Sequence, residues 1–340
     1  MSRIDIDQYW DEDELDITGR RRRQRRWPKP NRRPKRAEGE IVASLADKAG
    51  QPENFNFTYK ASRHEREWIT HSLGNFYDQH WFSDVLRLLK GGKEASVYQC
   101  RANPPIQEKY VAAKIYRPRQ FRTLKNDQIY LEGRDRLDAD GNIVLDGGMH
   151  HAMNKRTEYG LQLLHTSWIE HEFQSMQILH AAGADLPKPY ARGDNAILME
   201  YIGGDDLPAP TLNDVRLDPD EARPLFERVL RNIELMLAHD RIHADLSAYN
   251  ILYWEGKITL IDFPQTINPH GNRNALRIFE RDVRRVCEYF ARQGVRSNPQ
   301  RISTDLWTAF NLRLTPEIDP RYLDDSSEKD MAYWRSMKGD

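Results

Sequence analysis

A chain of 340 residues, 39% hydrophobic and 30% charged, has the length for two domains, or for one domain of two lobes, under a highly charged surface. Its net charge of −1 hides a polarised start, since residues 1–16 carry seven acids and residues 20–36 carry eleven Lys or Arg. No run reaches the ~18 apolar residues of a membrane span, the acidic opening does not read as a secretory leader, and two cysteines, Cys100 and Cys287, make neither a disulfide framework nor a metal site. A cytoplasmic location is the expectation.

In chain order, residues 1–55 lack periodicity and read as a disordered, acidic-then-basic tail. Ser62 and Glu65 have capping-box spacing ahead of a short helix that ends near Leu73. Strand-like runs follow at DVLRLLK, ASVYQC and KYVAAKIY, the first two joined by GGKE. Residues 117–166 are charged and turn-rich, and predict a long mobile insertion with one helix at its end. A helix is expected over 167–182, a strand at AILMEYI, and then the linker GGDDLPAP. Asp218, Pro219 and two early acids start a helix that runs to about His239, with Leu225, Val229, Ile233 and Leu237 on one face. Two short strands, NILYW and KITLIDF, share the turn Glu255–Gly256, and a last long helix spans about 273–293. The division is an N-lobe at 56–204, a C-lobe at 205–322 and a C-terminal tail at 323–340. The fold class is α+β, a two-lobed protein-kinase-like fold with a small β-rich N-lobe and a mostly helical C-lobe.

Asp245 and Asn250 stand five residues apart in a loop, and Asp262 ends the next strand. Phosphoryl transfer needs a carboxylate near the attacking oxygen and hard oxygen ligands for Mg²⁺ on the phosphates. Asp245 suits the first role; Asn250 and Asp262 suit the second. Lys114 lies in a strand that has no structural need of a lysine. On the helix over 167–182, Ile169, Phe173, Met176 and His180 form a stripe that includes Glu172, whereas Glu170 points away. A carboxylate in an apolar stripe needs a partner, so Glu172 is paired with Lys114. Asp282 sits in the stripe Phe279, Val283, Val286 and Phe290 and is read as a buried acceptor for backbone N–H groups of the Asp245 loop. His243 is read as a structural histidine. In the turn before Lys114, Lys93 and Ser96 are candidates for phosphate contact, with Glu94 and Val97 beside them in the nucleotide site.

Taken together, GGKEASVY, VAAKIY, WIEHEF, ILMEYI, HADLSAYNILY, LIDFPQ and NRNALRIFERDV resemble the RIO-type atypical serine/threonine protein kinases over residues 85–293. The resemblance implies use of ATP and Mg²⁺ (or Mn²⁺), and a nucleotide held at the linker Met199, Glu200 and Ile202. It also implies Asp245 as the catalytic aspartate, Lys114, Asn250 and Asp262 as ATP or metal contacts, and an aspartyl-phosphate at Asp262. The phosphate turn reads Lys90–Gly91–Gly92 where the family often has Ser-Thr-Gly, and residues 1–84 lack the pattern of the winged-helix domain some members bear. Pro264 fixes φ and removes an N–H, and about ten residues separate it from the next helix. The site therefore reads as intact for ATP and reduced for peptide. Association of the family with ribosomal subunits suggests RNA or a ribosomal particle as partner of residues 20–36. Two other readings compete: a small-molecule phosphotransferase of the aminoglycoside and choline kinase type, and a non-enzymatic nucleotide-sensing scaffold. With only ~45 residues after the last matched helix, the larger helical lobe of the phosphotransferases is not expected.

Overall fold

Apolar and aromatic residues build the N-terminal sheet, and in its middle strand Val111 to Tyr116 are buried on both faces. The computed structural model describes residues 55–92, 94–104, 106–117 and 127–314, with 328, 331, 332, 334 and 335 beyond them. The expected disordered tail falls outside these except for Phe55, which is buried in the core, and the C-terminal tail lies almost wholly outside. Strands β1 (Phe82–Gly91), β2 (Ala95–Ala102), β3 (Tyr110–Tyr116), β4 (Pro189–Arg192) and β5 (Ala196–Glu200) pair antiparallel in the order β1-β2-β3-β5-β4.

Register decides which residues reach the cleft. Opposed residues share a face, so Tyr98 with Ala113, Cys100 with Val111, and Ser96 with Ile115 point one way. They meet helix α1 (Arg63–Asp78), whose Ile69, Leu73 and Phe76 fill the same core. Helix α1 starts on the expected capping box, Ser62 accepting from the Glu65 N–H and Glu65 reaching back, and it continues five residues past Leu73. The opposite face carries Val97 against Lys114, Lys114 against Ile197, and Ala112 against Met199.

The segment expected as a mobile insertion holds α2 (Asp127–Leu131), α3 (Gly147–Lys155) and the first turns of α4 (Glu158–Ala181); residues 118–126 lie outside the described part. Helix α4 thus begins nine residues before the expected 167. Thr157 caps it by accepting the Gly160 N–H, and Gly160 admits α3, since a Cβ there would lie 1.9 Å from Ala152 O. Glycine lowers helix propensity, which masked this start.

The C-terminal part is built on α5 (Pro219–Ala238) and α6 (Ala275–Arg292), with the hairpin β6 (Ile251–Trp254) and β7 (Lys257–Leu260). Leu225, Val229, Ile233 and Leu237 of α5 are all buried, as expected, in one core with Ile278, Phe279, Val283, Val286 and Phe290 of α6. Each such side chain contributes about 1.5–3 kcal/mol by leaving water. Both hairpin residues Glu255 and Gly256 have positive φ, the twist a two-residue turn needs. Helix α7 (Pro299–Ala309) adds to the expected elements, and its start is local: Asn298 accepts the Arg301 N–H, and Pro299 follows the cap. Among the described residues no helix is long and apolar enough to cross a membrane.

Candidate active site

Strand β3 delivers Lys114 into the cleft, where its ammonium meets two carboxylates. Nζ lies 2.7 Å from Glu172 Oε1 and 2.6 Å from Asp262 Oδ1. Glu172 Oε2 accepts the Tyr116 hydroxyl at 2.7 Å, so both oxygens of this buried acid are satisfied. Burial opposes the lysine's charge, but Asp262 and Glu172 outweigh it and hold Lys114 above the ordinary lysine value. Burial likewise pushes the Asp262 carboxyl up, yet the charge and hydrogen bond of Lys114 leave it below the usual carboxylate range. Glu170 is buried too, but on the other side of α4, where Arg192 and Gln174 hold it. Tyr116 was not foreseen; its parity with Lys114 along β3 is the signal that marks it.

The loop before β6 carries Asp245 and Asn250. Asn250 Nδ2 donates to Asp245 O at 2.8 Å and to Oδ2 at 3.0 Å, and Arg285 Nη1 of α6 donates to Oδ1 at 3.1 Å. His243 is buried with both ring nitrogens engaged: Nε2 faces Ile261 O, and Nδ1 receives the Asp245 N–H. Its structural reading fits this geometry. Asp282 accepts from Arg281, which also donates to Ala244 O. The Leu246 N–H lies close enough to favour the Asp282 charge, but Oδ2 has no hydrogen-bond partner, so among the described residues Asp282 is held by Arg281 rather than by the backbone N–H groups expected of the Asp245 loop. Ala244 and Asp262, one on each side of the site, sit at φ +65° and +72°, a conformation that costs non-glycine residues of order 1–3 kcal/mol and collects at functional sites.

Past Asp262 the chain is clamped. Arg134, from the segment after α2, donates Nη2 to Pro264 O at 2.8 Å and to Thr266 O at 2.7 Å. Buried Asn272 holds Ile129 O and Glu132 O, and Gly133 packs so closely on Gly271 that a Cβ would come within 2.0 Å of its oxygen. Residues 129–134 thus pack on the turn that follows Asp262 and hold it in place.

The nucleotide contacts expected on the sheet divide. Val97 and Met199 share the Lys114 face. Ser96 does not: register turns its buried side chain to the face that meets α1, so no phosphate contact follows from it. Glu94 gives its carbonyl to the Arg117 N–H, and Lys93 lies outside the described residues. Glu200 turns its carboxylate to the Lys188 N–H, and the Ile202 carbonyl accepts from Ala209, so that carboxylate and that carbonyl are spoken for. Asp262 Oδ2 and Asn250 Oδ1 carry no hydrogen-bond partner among the described residues. No cluster of three His, Cys, Asp or Glu able to hold a metal occurs among them.

The profile of the RIO domain matches residues 96–302. The chain is 30% identical over 223 residues to the serine/threonine-protein kinase rio1 of Schizosaccharomyces pombe, covering 64% of this chain and 41% of that protein. It is 31% identical over 206 residues to the RIO-type serine/threonine-protein kinase Rio1 of Haloferax volcanii (60% and 62%), and 32% identical over 200 residues to that of Thermoplasma acidophilum (57% and 92%). The chain therefore spans less than half of the fission-yeast protein and nearly all of the Thermoplasma one.

Proposed function

The chain belongs to the RIO family, and from that premise we propose that it transfers the γ-phosphate of ATP as a serine/threonine kinase, with ATP hydrolysis as an accompanying activity. The observation that carries this is Lys114 held between Glu172 and Asp262, facing a loop that presents Asp245 and Asn250. Lys114 orients phosphates, Glu172 and Tyr116 fix Lys114, and Asp245 takes the proton of the attacking hydroxyl. Val97 and Met199 line the base side of the cleft, and the Ile202 N–H is the linker group left for the base. Asn250 Oδ1 and Asp262 Oδ2 fit Mg²⁺, which prefers one or two hard protein oxygens plus phosphates to an all-protein cage. When bound, that ion neutralises charge on the phosphates.

We propose further that Asp262 Oδ2, once the metal has moved off it, acts as a nucleophile. Its oxygen would bond the γ-phosphorus as the bond to ADP breaks, and water would then hydrolyse the acyl phosphate. Labelled ATP, an acid quench and hydroxylamine test both outcomes: label on Ser or Thr survives hydroxylamine, and label on Asp262 does not. Absence of any transfer or turnover in the purified protein would sink the kinase reading. Residues 20–36 lie outside the described part; their eleven cations support RNA binding by phosphate neutralisation. Deleting 1–40 is expected to flatten the salt dependence of RNA binding, and unchanged affinity would remove that idea. The two free, buried cysteines suit a reducing compartment such as the cytoplasm.

A further inference from the structure

The two oxygens of Asp245 are held by unlike partners. Oδ2 takes the amide of Asn250, a buried neighbour in the same loop, whereas Oδ1 takes Arg285 from α6, and the Arg285 and Asp245 side chains are 35% and 48% exposed. Water competes for both ions of such a pair, so it is easily exchanged. Arg285 uses one N–H group on Asp245, and the rest of its planar fork has no hydrogen-bond partner among the described residues. An open guanidinium edge matches a carboxylate, which accepts two parallel N–H bonds. The surroundings favour an anion further: Arg277 is exposed two turns earlier on α6, and exposed Arg284 shares its charge only loosely with Glu288, at 3.6 Å. Tyr249, exposed in the same loop as Asp245, leaves that face open to a partner.

Resting on the kinase reading above, we infer that Arg285 selects the acceptor. It leaves Asp245 when an acceptor arrives and takes the carboxylate beside the reacting hydroxyl, so the favoured acceptor is a Ser or Thr flanked by Asp or Glu. The exchange gives the guanidinium one carboxylate for another and opens Asp245 Oδ1 to the hydroxyl. The hydroxyl oxygen then bonds the γ-phosphorus, the bond from phosphorus to ADP breaks, and the hydroxyl proton passes to Asp245.

The test uses the full chain, labelled ATP and two serine peptides that differ only in Asp or Asn at the flanking positions. Wild type is expected to prefer the acidic peptide by about tenfold in kcat/KM, mostly through KM. Arg285→Ala and Arg285→Gln, the latter preserving the packed stem, are expected to bring the ratio near one, and Arg285→Lys to an intermediate value, since it keeps charge without the fork. A preference that survives in either neutral variant overturns the inference, as does a wild type that treats both peptides alike. A wild type that turns over ATP but labels neither peptide overturns the protein-kinase reading and this inference with it.

Discussion

The sheet side of the cleft and the catalytic loop each set a cation against a carboxylate, but in opposite settings. The Lys114 and Glu172 side chains are 9% and 1% exposed, while those of Arg285 and Asp245 are 35% and 48%. The first pair is closed on the carboxylate side, where Tyr116 takes the second oxygen of Glu172, while Asp262 takes a second of the three N–H groups of Lys114 and leaves the third for a phosphate. The second leaves most of a guanidinium open. A closed pair holds phosphates in one place, because disturbing it strands a buried charge. An open pair can trade partners at little cost, which suits the side from which an acceptor comes. On the proposed reading, one cleft uses ion pairing both for rigidity and for exchange.

The largest expected effect falls on the open side and on chemistry alone. Asp245→Ala should cut phosphoryl transfer by about 10²–10⁴-fold with ATP affinity and thermal unfolding near wild type. A melted fold together with lost nucleotide binding would instead make Asp245 structural and erase the contrast. Next comes the closed side. Lys114→Ala leaves Glu172 buried without its cation and is expected to destabilise by about 3–5 kcal/mol in urea unfolding. A double-mutant cycle with Glu172→Ala should give a coupling of about 0.5–3 kcal/mol, and additive single effects would mean the two do not act as a pair.

A smaller effect is expected from Asp282, the acid that steadies the loop from below. Burial pushes its carboxyl up, and the charge and hydrogen bond of Arg281 offset this only in part. The folded state therefore holds this proton more tightly than the unfolded chain. The stability the group contributes is fully present below the ordinary carboxylate value of 3.8 and is lost as pH rises through its raised folded value. Measured against Asp282→Asn, wild-type stability should decline on going from about pH 4 towards neutrality; a flat difference would place the acid's proton affinity at its ordinary value. The smallest effect should be that of Arg285→Ala on stability, within about 1 kcal/mol. A loss comparable to that of Lys114→Ala would show that both pairs are closed.

Much of the closed site was legible from local pattern. Glu172 inside a stripe of Ile169 and Met176, and a lysine in a buried strand, each demanded a partner, and they found one another. The hairpin, the α5 stripe and the capping box of Ser62 were legible for the same reason, that their causes lie within a few residues. Ser96 was misjudged because a strand's facing alternates every residue, and the parity was settled by pairing with β3 rather than by the turn. Strand β4 escaped notice because four residues with a register shift have no period to read. Arg285 and Arg134 were invisible as site residues. Each looks like one more surface cation until the fold brings α6 under Asp245, or the segment after α2 against Pro264.

The Arg134 clamp also has a consequence for the order in which the molecule is made. The guanidinium and the carbonyl of Pro264 are separated by 130 residues of chain. At the pace of protein synthesis, about 5–20 residues per second, the arginine emerges on the order of ten seconds before its acceptor exists. Through that interval the segment after α2 carries a cation meant for burial whose acceptors are not yet made. The nascent N-terminal half is therefore expected to wait, open to solvent along this seam, until Pro264 and Thr266 arrive to close it.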